Sequence, residues 1–100
     1  MSVTFFDPEN RNVYDEEYNV VSGGPEVNFA QTNAAQVLLT MGLYDPDDPD
    51  MFGHMSGEDF RRLVIRGIFT CGDRMELLFV KDRLQKLLEA FSKAKFVYWE

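Results

Sequence analysis

The sequence predicts a small α+β domain: three helices packed on a minimal sheet built from short N-terminal strands and a C-terminal strand. Three observations carry that expectation. Residues 33–93 contain three apolar stripes at helical spacing, separated by glycine and proline signals. Residues 1–29 contain only short β-type runs broken by turns. Residues 95–100, Lys95-Phe96-Val97-Tyr98-Trp99-Glu100, are aromatic and β-branched and read as a terminal strand. One hundred residues, 45% of them hydrophobic, suit a single domain with one core.

Taken in order, Ser2–Phe6 alternates weakly and reads as a short strand that Pro8 ends. Residues 9–19 are polar, with Val13, Tyr14 and Tyr18 as their large anchors, and read as an exposed arm or an edge hairpin. Ser22-Gly23-Gly24-Pro25 is a turn rather than a phosphate cradle, because no Lys-Ser/Thr pair and no helix follow it directly. Glu26-Val27-Asn28-Phe29 is a brief strand. The first helix is expected to start at Asn33 as N-cap, with Gln36 in the capping-box position, and to end at Gly42 as a left-handed C-cap. Residues 44–55, with two prolines and four aspartates, are expected to exclude regular structure. Ser56 caps the second helix, whose first turn carries Glu58 and Asp59. Its apolar stripe is Phe60, Leu63, Val64 and Ile68. Cys71-Gly72 breaks it, and Asp73 is expected to cap a third helix with the stripe Leu77, Val80, Leu84, Leu87 and Phe91. That stripe spans barely two heptads and serves a core better than a coiled-coil dimer, so monomer and homodimer both stay open. Asp82–Lys86 and Glu89–Lys93 are expected i,i+4 pairs on the wet face. The terminal strand finds its simplest partner in an N-terminal one.

Charge is distributed unevenly. Residues 1–60 hold twelve acids against the single base Arg11, whereas residues 61–100 hold nine bases and five acids; the whole chain carries −7. This balance argues against direct nucleic-acid binding, which needs a surplus of Lys and Arg. It points instead to partners or internal pairing. Arg61, Arg62 and Arg66 are expected to pair with the acid-rich first half. The acids Asp15, Glu16, Glu17, Asp45, Asp47, Asp48 and Asp50 are the candidate contacts for a protein with a basic surface. No apolar run is long enough to span a membrane, and Met1–Asn10 lacks the pattern of a secretory signal. A single cysteine, Cys71, allows no intramolecular disulfide and fits a reducing, cytoplasmic setting.

The segment from Asp48 to Asp59 has ligand-like spacing: acids at positions 1 and 3, Gly53 at 6, Ser56 at 9 and Asp59 at 12. It resembles the calcium loop of an EF-hand, with Asp48, Asp50, Ser56 and Asp59 as the metal-ligating positions that the resemblance implies. It departs from that pattern at Phe52, which replaces an oxygen ligand, and at Asp59, one carbon shorter than the bidentate Glu. These departures predict calcium binding no tighter than about millimolar, so no resident cofactor is expected. His54 is the single histidine, and no nucleophile–base spacing stands out, so no catalytic residue is assigned. The expected function is a non-enzymatic, acidic interaction module: an adaptor, assembly or inhibitor protein of the kind phages and mobile elements carry. One alternative is a degenerate EF-hand-like helix-loop-helix metal binder. Another is a counter-defence inhibitor that masks a basic nucleic-acid-binding surface.

Overall fold

The computed structural model describes residues 2–11, 13–47 and 51–100. Within them, three helices pack on one face of a four-stranded antiparallel sheet, and a separate two-stranded ribbon forms an arm. The main sheet comprises β1 (Ser2–Phe6), β4 (Glu26–Ala30), β5 (Gly53–Ser56) and β6 (Phe96–Trp99), in the order β4-β1-β6-β5. The arm pairs β2 (Val13–Tyr14) with β3 (Val20–Ser22). The helices are α1 (Gln31–Thr40), α2 (Gly57–Cys71) and α3 (Leu78–Ala90).

The terminal strand pairs with β1 as expected, setting Phe5 opposite Trp99, and it gains a second neighbour in β5, with Met55 opposite Val97. The strand β5 corrects the expectation that residues 44–55 lack regular structure. Gly53-His54-Met55-Ser56 has little strand character of its own; the free side of β6 supplies its hydrogen-bonding partner.

Alternation along β1 and β6 points Val3, Phe5, Val97 and Trp99 toward the helices. There Phe5 meets Phe29 edge-on at 5.9 Å and stacks on Trp99 at 5.8 Å, and Phe60 of α2 meets Phe91 at 5.7 Å. These aromatics, with Val37, Leu38, Val64, Leu84 and Leu87, form one continuous core. Of the stripes expected for α2 and α3, Phe60 and Val64 on one helix and Val80, Leu84 and Leu87 on the other, with Phe91 just beyond, are buried, whereas Leu63, Ile68 and Leu77 are half-buried against the same core.

Two helix starts differ from expectation. Helix α1 begins at Gln31 with no side-chain cap, because β4 stays paired with β1 as far as Ala30 and the chain passes from strand to helix without a loop. Asn33 therefore lies inside the first turn. Helix α3 begins at Leu78, after a short 3-10 turn at Met75–Leu77, so Asp73 caps nothing. The C-terminus of α1 does follow its signal. Gly42 sits at φ 78°, its N–H donates to the Leu39 carbonyl, and the Leu43 N–H donates to that of Leu38. This is a Schellman closure that only glycine makes without steric penalty. Gly57 opens α2 for a different reason. A Cβ there would overlap the Ala94 carbonyl oxygen, while its N–H donates to the Lys95 carbonyl at 2.7 Å. Thus the α2 N-terminus is locked against the entry to β6.

Candidate functional site

The arm leaves the sheet after Phe6. Asp7, buried beneath it, accepts hydrogen bonds from the Glu9 N–H and the Asn10 side-chain amide, and the Gly24 N–H donates to the Asn10 carbonyl across the arm's base. The Arg11 guanidinium lies 4.0 Å above the Phe6 ring and 4.0 Å from the Glu100 carboxylate. These contacts fix where the arm points. Beyond them, every described residue from Arg11 to Asn19 is exposed.

The tip is a three-residue hairpin loop. The Tyr18 N–H donates to the Asp15 carbonyl, and the Asp15 N–H donates to the Asn19 carbonyl. One Asp15 carboxylate oxygen accepts from the Glu17 and Asn19 N–H groups, both at 2.9 Å. This is the type I turn plus left-handed residue that closes many hairpins, and the left-handed position usually takes glycine. Here it takes Tyr18, at φ 63° and 86% exposed. A left-handed conformation costs a residue with a Cβ about 1–2 kcal/mol. The strained position thus carries an aromatic ring that stands in water, flanked by Asp15, Glu16 and Glu17.

Of the other candidate acids, Asp45 and Asp47 are exposed, and an Asp45 carboxylate oxygen accepts the Asp47 N–H. Asp48 and Asp50 lie outside the described residues. Of the calcium-loop positions, Ser56 caps α2 by accepting the Asp59 N–H, and Asp59 shares Arg62 with Glu58. Both residues thus have structural partners in the helix start. No group of three or more metal-ligating side chains occurs among the described residues.

The arginine trio corrects another expectation. Among the described residues only Arg62 of the three pairs with acids of the first half, Glu58 and Asp59. Arg61 donates to the carbonyls of Phe91 and Ala94 at the end of α3, and Arg66 donates at 3.5 Å to that of Met41 at the end of α1. Lys81 completes the pattern by donating to the Gly72 carbonyl at the end of α2. Each helix C-terminus, where carbonyls lack intrahelical partners and the dipole is negative, therefore receives a cation. The second half of the chain places these bases on backbone carbonyls, not on the acids of the first half. Among the described residues no ion pair reaches Asp15, Glu16, Glu17, Asp45 or Asp47. Nor do the expected pairs Asp82–Lys86 and Glu89–Lys93 form.

Sequence reasoning missed the outer sheet face. Register sets His54, Tyr98 and Phe6 in one row across β5, β6 and β1. The His54 and Tyr98 rings stack at 5.1 Å, and Tyr98 meets Phe6 at 6.0 Å. His54 thus lies on a strand, against an aromatic neighbour. Cys71 is fully buried at the end of α2; burial pushes its thiol pKa up, and the charges of Lys81 and Arg74 pull partly against that. A thiol so placed is a packing group rather than a nucleophile.

Fold and site together describe a helix-backed antiparallel sheet carrying an acid-tipped hairpin arm. The chain matches no protein-family model, no curated protein and no solved structure. No helix among the described residues is long and apolar enough to cross a membrane.

Proposed function

We propose that this domain is a non-enzymatic interaction module that inserts the tip of its acidic arm into a basic surface of a partner protein. One observation carries the reading. The hairpin tip keeps a tyrosine where glycine is the more stable residue, and leaves the ring almost wholly in solvent. Backbone strain of this kind concentrates at functional sites, and tyrosine is among the residues that dominate binding energy at interfaces. The unpaired acids around it supply steering, because a negative patch raises the encounter rate with a basic one. The cations at the helix ends support the same reading, since among the described residues they leave Asp15, Glu16, Glu17, Asp45 and Asp47 without an intramolecular ion pair.

The test has two stages. The partner is identified by affinity capture with paired baits, the native chain and an Asp15→Lys/Glu16→Lys/Glu17→Lys variant. The purified pair is then followed by association rate against salt. The native rate falls steeply as salt passes physiological strength, where charges are screened within about 8 Å, and the variant starts low and responds little. A flat salt profile for the native protein, or equal rates for both, defeats the proposal. Competition by DNA or RNA for the same partner surface separates an inhibitor of nucleic-acid binding from an adaptor.

A further inference from the structure

The edge of the main sheet formed by β4 faces an open groove of about 580 Å³. One wall is β4 itself, residues 26–29; the other is the outer flank of α3, with Phe79, Asp82, Arg83 and Lys86. Among the described residues β4 is hydrogen-bonded only to β1, so its other side presents free backbone donors and acceptors. Phe79 stands 74% exposed beside that edge. No ion pair of the described residues uses Asp82, Arg83 or Lys86.

We propose that this groove is a two-fold interface with a second copy of the chain, joining β4 to β4 and α3 to α3, both antiparallel. The argument is self-complementarity, which an interface of this symmetry requires. An axis passing midway between Asp82 and Arg83 sets Asp82 against the second copy's Arg83, and Arg83 against its Asp82. The same axis sets Phe79 against the second copy's Lys86, whose aliphatic stem and ammonium both suit an aromatic face. Across the strands, an axis through Asn28 sets Val27 beside the second copy's Phe29 and Glu26 beside its Ala30. Among the residues that line the groove, no like charges are brought opposite one another. In the proposed dimer one axis serves both layers, whose segments line opposite walls of the same groove. The interface also falls mostly on the chain's basic half, so the acid-rich regions are not pressed together. Arm and β4 meet at Pro25, so antiparallel pairing of β4 sends the two arms to opposite ends of the assembly.

Molar mass is measured by sedimentation equilibrium from about 1 μM to about 1 mM on the full chain, Arg83→Asp, and the double swap Asp82→Arg/Arg83→Asp. All these side chains lie on the surface, and thermal melts check that each variant folds. The native chain dimerises within this range. Arg83→Asp sets two acids face to face at both ends of the axis and weakens the dimer at least tenfold, and the double swap restores it. A native chain that stays monomeric throughout overturns the proposal and leaves the groove to an extended segment of another protein. Equal dimer affinity for native and Arg83→Asp also overturns it. So does a double swap no tighter than the single variant, because restoration is what distinguishes a cross-copy pair from a general effect of added charge.

Discussion

Replacing Tyr18 with glycine is expected to separate stability from binding. Most substitutions that remove a large side chain destabilise a protein by about 1 kcal/mol or more. At this position the ring is 86% exposed and makes no aromatic contact, so little burial is lost. The left-handed backbone, at φ 63°, costs a residue with a Cβ about 1–2 kcal/mol, which glycine recovers. The extra freedom of glycine in the unfolded chain returns about 0.5–1 kcal/mol of that. The balance lies between no change and about 1.5 kcal/mol of added stability. For a domain of this size, 1 kcal/mol shifts Tm by roughly 4–8 °C. Thermal unfolding followed by Trp99 emission reads this directly, because Trp99 is the single tryptophan and is buried. Affinity for the captured partner, measured on the same preparations, falls about 30-fold or more, the loss of a central aromatic anchor worth about 2 kcal/mol. A Tyr18→Gly protein that melts lower by more than about 5 °C refutes the strain argument. One that is stabilised but binds unchanged refutes the link between strain and function.

Removing residues 96–100 takes out a strand flanked on both sides and the buried Val97 and Trp99; no cooperative melt should survive, whereas one like that of the full chain would make the segment dispensable. Gly57→Ala forces the Ala94 carbonyl away and is expected to cost about 1–3 kcal/mol. In the same helix Gly67→Ala meets only side-chain methyls, the Leu84 Cδ1 at 3.1 Å and the Thr40 Cγ2 at 3.4 Å nearest, and gains helix propensity, so it stays within about 1 kcal/mol of the parent; denaturant midpoints that rank the two the other way contradict the packing described. Burial raises the Cys71 pKa in the folded state, so the native chain holds its proton where the unfolded chain has released it. Stability from this source is therefore complete below about pH 8.5 and declines as pH rises through the folded value. A Cys71→Ser variant, less stable overall, loses less on going from neutral to alkaline urea melts, and identical slopes would remove Cys71 as the cause. Calcium binding by calorimetry should be no tighter than about millimolar, since Ser56 and Asp59 would have to abandon the α2 cap and Arg62; micromolar binding lost on Asp48→Ala would reverse that.

What the sequence made legible were features whose causes lie within a few residues. The Ser56 cap, the Gly42 closure and the α3 stripe from Val80 onward each depend on neighbours one turn away, and each formed where expected. The terminal strand was legible because Phe96–Trp99 is strongly β-forming by composition. Features that depend on distant residues were not. Strand β5 exists because β6 offers it an edge, and nothing in Gly53–Ser56 announces that. The start of α1 was decided by how far β4 pairs with β1, which overrode the capping preference of Asn33. The targets of Arg61, Arg66 and Lys81 are backbone carbonyls of other segments, which carry no residue-type signal. For the candidate site, the acids were visible as composition, but the conformation of Tyr18, and the lack of ion-pair partners for Asp15, Glu16, Glu17, Asp45 and Asp47 among the described residues, belong to the folded chain alone.

The position of β6 carries a consequence for how the molecule is made. Its residues come after all the rest in this sequence, yet they lie inside the sheet, between β1 and β5. Phe5 pairs with Trp99 almost the whole sequence away, a contact whose loop closure must precede its reward. Until residue 99 is free to dock, β1 lacks one neighbour, β5 lacks its sheet partner, and Phe5 and Phe60 have no indole to pack against. A nascent chain at that stage presents two sticky edges and an open apolar surface together, the condition in which chains associate wrongly. Closure of the sheet thus waits for its last-made strand, and the hazardous interval ends when those four residues dock.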